Sequence, residues 1–192
     1  MKVIQIGANN GNDHVFDFLN SNKENIEIAI LVEPIPFILD SLRYKYRDIP
    51  KVFIESLAIG LDSDLELYYE VGSNYEVSTF IRQHLVDHGC PQDKISSILV
   101  KSISFNSLCD KYNIRELDHL YIDTEGLDVF IIKSIDFSKI KIDKIYFESR
   151  HTDGANTRGK NYEDLCIFLK SKGYSIQDVD TFNTLATYEN NI

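Results

Sequence analysis

The titratable side chains with the clearest chemical use follow two apolar segments in the second half of the chain. Asp123 comes directly after residues 119–122, and Glu148 and His151 follow residues 142–147. If both segments are parallel strands, their carboxyl ends meet at one edge of a sheet, so we expect these three side chains to lie close together. Each could act as a general base toward a hydroxyl, and the ordinary histidine pKa of about 6.5 suits that role best at neutral pH. The sequence therefore predicts a catalytic site made of Asp123, His151 and Glu148.

Asp123 and Glu148 also leave a metal-assisted alternative open. Both would end neighbouring strands, and hard carboxylate oxygens are the ligands that Mg²⁺ prefers, so the pair could hold this ion against two substrate oxygens. The three cysteines, Cys90, Cys109 and Cys166, are widely spaced and show no pairing typical of a metal centre. No residue is therefore assigned as a metal ligand, and the odd, scattered cysteines favour a reducing, cytoplasmic compartment.

A glycine turn near the start of the chain indicates a nucleotide-type cofactor site. Residues 3–6 are predominantly β-favouring and apolar, Gly7 and Gly11 break the segment, and Asn12 or Asp13 can cap the helix that follows. In a doubly wound sheet such a turn leaves backbone N–H groups facing a crevice at the end of the first strand. The candidate cofactor contacts in this turn are Gly7, Ala8, Asn9, Asn10 and Gly11.

A single carboxylate at the end of the next apolar segment completes this pattern. Residues 28–32 form a continuous apolar stretch that ends at Glu33, followed by Pro34. Glu33 lies about 20 residues after the glycine turn, the spacing at which a carboxylate on the second strand accepts hydrogen bonds from ribose hydroxyls. We therefore expect Glu33 and Pro34 to contact the cofactor.

The residue types in the turn favour an adenosyl group with an amino-acid tail over a dinucleotide. A dinucleotide fingerprint requires a second glycine to make room for the pyrophosphate, and Asn9 occupies that position here. A nicotinamide-dependent (NAD) oxidoreductase that uses the same crevice remains the alternative, as does a non-catalytic binding module that keeps the fold.

Four motifs in this order resemble those of the FkbM family of S-adenosylmethionine-dependent methyltransferases. Along the chain they read Gln5-Ile6-Gly7-Ala8-Asn9-Asn10-Gly11, Val32-Glu33-Pro34, Ser56-Leu57-Ala58-Ile59-Gly60 and Tyr121-Ile122-Asp123-Thr124-Glu125-Gly126. The resemblance extends roughly from the first residue to Glu148. One departure is Gln5, where methyltransferases more often have an acidic residue that touches the methionine amine. A glutamine oxygen could still accept a hydrogen bond from that amine.

The resemblance implies a fold, a cofactor and a reaction. It implies a class I methyltransferase fold that binds S-adenosylmethionine, with Ser56, Leu57 and Ala58 beside the adenine and Asp123 beside the methyl donor. It also implies O-methylation of a hydroxyl on a small-molecule or sugar-like acceptor.

The remaining pattern predicts one α/β domain over residues 1–192. Strand-like and helix-like segments alternate, which is typical of a Rossmann-like, doubly wound, mostly parallel sheet. The third strand is expected over residues 52–58, and two short strands near residues 174–177 and 182–188 are expected to finish the sheet as an antiparallel pair.

Residues 65–100 interrupt this alternation. Residues 65–70 alternate like a strand, and residues 79–88 are predicted to be helical. We expect this insert to be a lid or substrate wall to which Tyr75, Phe80 and His84 contribute contact surface, although a plain surface elaboration is equally compatible with the pattern.

Composition limits the partners. The formal net charge of −10 argues against nucleic acid as a partner, because phosphate binding needs a basic face. No apolar stretch approaches the ~20 residues of a membrane span, and none resembles a signal peptide, so no membrane association is expected. A homodimer is left open.

Overall fold

A seven-stranded β-sheet with helices on both faces forms the centre of the computed structural model, which describes residues 1–73, 75–154 and 156–189. The strands are β1 (Lys2–Ile6), β2 (Ile28–Val32), β3 (Val52–Glu55), β4 (Ala58–Ile59), β5 (Leu65–Glu70), β6 (Ile95–Val100), β7 (Ser102–Ile103), β8 (Glu116–Ile122), β9 (Lys141–Glu148), β10 (Tyr174–Asp178) and β11 (Asn183–Tyr188). The helices are α1 (His14–Ser21), α2 (Leu39–Tyr46), α3 (Arg82–Asp87), α4 (Phe105–Lys111), α5 (Asp128–Ser134) and α6 (Lys160–Ser171). Short 3₁₀ turns lie at Lys23–Asn25 and Gln92–Lys94.

The strand order of the large sheet is β10-β11-β9-β8-β1-β2-β3. Strand β1 pairs in parallel with β2 and β8, and β9 continues the parallel arrangement beside β8. Strand β11 runs antiparallel to both β9 and β10. The prediction of a doubly wound, mostly parallel sheet that ends in an antiparallel strand pair is therefore confirmed.

The central strands are apolar on both faces because helices cover both faces. Successive side chains point to opposite sides of a strand, so Val3 and Ile4 enter different packing layers. One layer packs Val3 with residues of α1 and α2, such as Leu19 and Leu42. The other packs Ile4 with residues of α4, α5 and α6, and all of these core side chains are buried.

The chain between β3 and α4 leaves the large sheet. Strand β4 pairs with β7, and β5 pairs with β6 as a separate antiparallel hairpin. The expectation of a continuous third strand over residues 52–58 was wrong, because β3 ends at Glu55 and Ala58 instead pairs with Ser102. The predicted strand over residues 65–70 is confirmed.

The helix expected over residues 79–88 is shorter in the structure. Thr79 forms a two-way backbone pair with Tyr68, with N···O distances of 2.8 and 3.0 Å, so helix α3 begins only at Arg82. None of the helices in the described ranges has the length and apolar character needed to cross a membrane.

Candidate active site

A cavity of about 330 Å³ opens at the carboxyl ends of β1, β2 and β8. Eight of the residues predicted to bind the cofactor line it, namely Gly7, Ala8, Asn9, Asn10, Glu33, Pro34, Ala58 and Asp123. The insert contributes Tyr75 and Phe80 to the same wall, whereas His84, the third contact residue predicted for it, is not among the lining residues. The sequence thus predicted where the cavity lies and most of the first-strand and second-strand residues around it.

The position of Gly7 is fixed by a close approach to strand β8. Its φ is +82°, and a Cβ atom placed on it would lie 1.7 Å from the carbonyl oxygen of Asp123. Only a glycine permits that separation. The turn after β1 is therefore pressed directly against the end of β8, which brings Asp123 to the cavity.

The backbone of the turn forms its hydrogen bonds inside the protein. Every N–H from residue 7 to residue 12 donates to a protein acceptor. The N–H groups of residues 7 and 8 donate to the Val32 carbonyl, and that of residue 9 donates to the Glu33 carboxylate. The N–H groups of residues 10, 11 and 12 donate to acceptors within the turn, namely the Asn9 side chain, the Ala8 carbonyl and the Asn10 side chain. A pyrophosphate needs unpaired N–H groups at this place. The N–H groups expected to face the ligand are thus already paired, which disfavours a dinucleotide.

Glu33 is held rigidly at the edge of the cavity. Oε2 accepts the Asn9 N–H at 2.7 Å and Oε1 accepts the Ile35 N–H at 2.8 Å, while the residue is only 3% exposed. Burial raises the pKa of this carboxyl to about 7, against the lowering effect of these two hydrogen bonds. Each carboxylate oxygen keeps a further lone pair, so Glu33 is preorganised to accept two neighbouring hydroxyl groups.

Gln5 does not line the cavity, and Asp13 does. Gln5 Nε2 donates to Asp13 Oδ2 at 2.7 Å, while Asp13 Oδ1 accepts the N–H groups of Val15 and Phe16 and caps helix α1. Asp13 thus brings a carboxylate to the cavity next to Gln5. Sequence reasoning identified Asp13 only as a helix cap. Its second carboxylate oxygen, Oδ2, is positioned by the contact with Gln5, which exists only in the folded chain.

Three other predicted cofactor residues lie off the cavity. Gly11 is covered by helix α2, since an added Cβ would lie 2.7 Å from the ring of Tyr46. Ser56 and Leu57 lie in the link between β3 and β4 and are not among the lining residues, whereas Ala58 and its neighbour Ile59 are.

The predicted catalytic carboxyls do come together. Single oxygens of Asp123, Glu125 and Glu148 lie within 4.8 Å of one another. The pKa of Asp123 is raised by its desolvated position and by the carboxyls of Asp128 and Glu125, although its side chain is open to the cavity. The pKa of Glu148 is raised to about 9 by burial first and by Asp123 second.

His151 is adjacent to these carboxyls but does not border the cavity. Its Nε2 lies 3.3 Å from Glu148 Oε1, and its Nδ1 accepts the backbone N–H of Asn156 at 2.9 Å. Burial lowers its pKa to about 4. The expectation of a histidine that titrates near neutral pH was therefore wrong, because the imidazole is desolvated.

Two further histidines meet the same group, and sequence reasoning did not identify them as a pair. His84 Nε2 lies 2.8 Å from Glu125 Oε2, and the ring centroids of His84 and His88 are 4.5 Å apart. Their spacing of four residues around helix α3 was the signal available, because such residues share one helix face. Glu125 does not cap helix α5, whose N-cap is Leu127 and has no side-chain hydrogen bond.

The sheet order, the turn after β1 and the acid after β2 together define a class I methyltransferase fold. The model of the FkbM methyltransferase domain matches residues 5–176, and the chain belongs to the FkbM methyltransferase family. A search of curated proteins gave no match.

Solved structures support the fold assignment. An FkbM methyltransferase from Methylobacillus flagellatus KT aligns with a TM-score of 0.58 and 16% identity over 97% of this chain and 43% of that one. The fibrillarin pre-rRNA processing protein of Methanococcus jannaschii aligns with a TM-score of 0.51 and 16% identity over 98% of this chain and 66% of that one. This chain therefore spans less than half of the first protein and about two thirds of the second.

Proposed function

We propose that this protein transfers a methyl group from S-adenosylmethionine to a hydroxyl group of a small-molecule or sugar-like acceptor. The observation that carries the proposal is the pairing of a preorganised Glu33 carboxylate with a glycine turn whose N–H groups are all satisfied internally. That combination suits a ribose without a pyrophosphate.

The methyl donor would lie between the carboxylates of Glu33 and Asp13. Glu33 would accept the two ribose hydroxyls, and Asp13, which Gln5 holds in place, would face the positively charged amine of the methionine tail. Ala58 and Ile59 offer apolar surface for the adenine. When bound, the donor supplies a methyl group that is already activated as a sulfonium, so the protein has mainly to align the reactants and exclude water.

The acceptor would enter beside Asp123 and Glu125. A hydroxyl must lose its proton during transfer, and of the three neighbouring carboxyls of Asp123, Glu125 and Glu148 these two border the cavity. Glu148 and His151, the other predicted catalytic residues, are not among the residues that line the cavity and would act on the acceptor only indirectly. We therefore assign the role of general base to Asp123 or Glu125.

The charges around the cavity favour a neutral acceptor. Among the described residues that line it there is no lysine or arginine, whereas five are aspartate or glutamate, namely Asp13, Glu33, Glu76, Asp123 and Glu125. An anionic acceptor would be repelled by this surface. A hydroxyl on a neutral or cationic small molecule fits it best.

Calorimetric titration with S-adenosylmethionine and S-adenosylhomocysteine tests the donor site. We expect micromolar binding by the wild-type chain and its loss in Glu33→Ala. The matched control is Glu27→Gln, which removes an exposed carboxylate next to β2, far from the cavity, and should bind like the wild type. Equal binding by Glu33→Ala and the wild type would contradict the proposal, and so would binding of NAD alone.

Acceptor screening under saturating donor tests the reaction. Transfer of the labelled methyl group to a hydroxyl compound, lost on Asp123→Asn or Glu125→Gln without loss of donor binding, would support O-methylation. Donor binding without transfer to any hydroxyl acceptor would favour a binding module.

A further inference from the structure

Three of the chain's five histidines meet beside the cavity. His84, His88 and His151, together with Glu125, form what we call the histidine cluster. One ligand atom of each residue lies within 4.8 Å of those of the other three. His84 and His88 come from the insert around α3, Glu125 follows β8, and His151 follows β9. Three separate parts of the chain thus converge on one point.

We infer that the histidine cluster binds a divalent transition-metal ion of the zinc type. Imidazole nitrogens are the ligands that zinc, cobalt, nickel and iron prefer, whereas Mg²⁺ prefers an all-oxygen environment. Three imidazoles with one carboxylate therefore select the first group of ions. The proposed ligands differ from the Asp123 and Glu148 pair that the sequence offered for Mg²⁺.

The cluster is close to the dimensions of such a site. Ligand atoms around a tetrahedral zinc ion, with bonds of about 2.0 Å, lie roughly 3.3 Å apart. The distance from His84 Nε2 to Glu125 Oε2 is 2.8 Å, and ring centroids of His151 lie 5.0 Å from His84 and 4.8 Å from His88. Imidazole centroids lie further from an ion than the ligating nitrogens do, so the two centroid separations already suit a shared ion. Only His84 and Glu125 have to separate slightly.

His151 already has the support that a ligating histidine needs. Its Nε2 faces Glu148 Oε1 at 3.3 Å, and a carboxylate behind the imidazole is the usual second partner of a metal-bound histidine. Its Nδ1 accepts the Asn156 N–H, so this nitrogen carries the lone pair that a metal ion needs.

A second observation favours a cation in this region. Glu148 Oε2 is buried and has no hydrogen-bond partner within the described part of the chain. Glu148, Asp123 and Glu125 also place three carboxyls within 4.8 Å of one another. A divalent ion in the adjoining histidine cluster would offset the repulsion among them.

An ion at this position would have one structural effect and one chemical effect. It would fasten the insert to the edge of the sheet, since His84 lies in α3 and His88 is its C-cap, whereas the other two ligands follow β8 and β9. Because Glu125 also lines the cavity, an ion that expands to a fifth ligand could take up the acceptor hydroxyl there and would lower the pKa of that hydroxyl. This chemical consequence rests on the proposed function, whereas the binding of the ion does not.

The test is titration of the purified, chelator-treated chain with Zn²⁺ by calorimetry and with Co²⁺ by absorption spectroscopy. We expect one ion per chain, and a loss of at least about tenfold in affinity in His88→Ala. His88 is exposed, so this variant should fold, and its melting temperature without metal provides the check. The control is His14→Ala, which removes an exposed histidine outside the cluster and should bind like the wild type.

The outcomes separate the metal site from its alternatives. Zn²⁺ should raise the melting temperature of the wild type and His14→Ala but not that of His88→Ala. No binding of Zn²⁺ or Co²⁺ by the wild type, equal binding by His88→Ala, or displacement of Co²⁺ by an equal concentration of Mg²⁺ would overturn the inference. S-adenosylhomocysteine is titrated into the same samples, so a failed donor site and a failed metal site give different results.

Discussion

The two sides of the cavity are built in different ways. On the donor side, the turn after β1 and Glu33 satisfy one another, and the carboxylate and every turn N–H have a protein partner. On the acceptor side, the carboxyls and histidines crowd together, and a buried oxygen of Glu148 has no hydrogen-bond partner within the described residues. The turn and Glu33 are therefore paired before ligand binds, although the buried Gln5 Oε1 on this side also lacks a partner within the described residues. The acceptor side combines an unpaired carboxyl oxygen with crowded carboxyls and histidines.

This difference indicates where specificity is located. A hydrogen-bonded, rigid donor side recognises one ligand by shape, because its polar groups do not need to rearrange. The crowded carboxyls and histidines of the acceptor side are the kind of grouping expected where a proton is transferred, since perturbed titratable groups cluster at functional sites. Variants on the donor side should change stability and donor affinity, and variants on the acceptor side should change the KM for the acceptor.

The largest effect, a loss of stability, is expected from Gly7→Ala, which disrupts the contact between the turn after β1 and the end of β8. The added Cβ would lie 1.7 Å from the Asp123 carbonyl oxygen in a backbone with φ of +82°. Strain and overlap together should lower the free energy of unfolding by about 3 kcal/mol or more. Urea denaturation measures this change.

Gly72→Ala is the matched control for that variant. Its φ is +84°, but nothing lies within 4 Å of an added Cβ. Only the backbone strain remains, so the loss should be roughly 1 kcal/mol. Equal losses at positions 7 and 72 would show that the contact between the turn and β8 contributes nothing.

The second prediction concerns pH and Glu33. Because its pKa is raised from 4.5 to about 7 by burial, ionisation of Glu33 disfavours the folded empty protein. This contribution to stability is full below pH 4.5 and is lost as the pH rises through about 7. Donor affinity should change in the opposite direction, because ribose hydroxyls donate to the ionised form.

Titration of S-adenosylhomocysteine across this range checks the sign. Affinity should rise about tenfold between about pH 6 and pH 8, the change expected for one group that ionises near the middle of the range. Glu33→Gln should bind weakly and without this pH dependence. A wild-type affinity that falls with rising pH would contradict the role of the carboxylate.

The third prediction separates the two roles of Asp13. Asparagine is as good a helix N-cap as aspartate, so Asp13→Asn should leave the free energy of unfolding nearly unchanged. It removes the negative charge offered to the methionine amine, so donor affinity should fall roughly tenfold, the effect of one charge-assisted hydrogen bond. Asp13→Ala should additionally cost about 1 kcal/mol of stability through the lost cap.

The smallest effect is expected on the acceptor side, from Thr79→Val. Thr79 Oγ1 donates to the Glu125 carbonyl at 2.7 Å and joins the insert to the edge of the sheet. Its removal should cost about 1 kcal/mol of stability and raise the KM for the acceptor, with no change in donor affinity. A change in donor affinity of similar size would show that the two sides are not separable.

The difference between the donor side and the acceptor side also explains which parts of the site could be predicted from the sequence. The turn residues, Glu33 and the alternating strands are local patterns, so the fold and the donor side followed from short stretches of chain. Asp13 was missed as a cavity residue because Gln5 orients it, and that contact exists only once β1 and α1 are packed.

The acceptor side depends on tertiary structure to a larger extent. Asp123 and Glu148 were expected together because parallel strands end at one edge. The approach of His84 and His88 to Glu125 was not predictable, since it depends on how a hairpin outside the large sheet folds back over that edge. The low pKa of His151 likewise depends on burial that only the folded chain creates.

The most direct test of the account is competition between S-adenosylhomocysteine and NAD for the wild-type chain, followed by calorimetry. A donor side without free turn N–H groups should bind S-adenosylhomocysteine with micromolar affinity, and NAD at millimolar concentration should not displace it. Displacement by NAD at comparable concentration would mean that the turn does accommodate a pyrophosphate, and it would contradict the methyl-donor site proposed for this cavity.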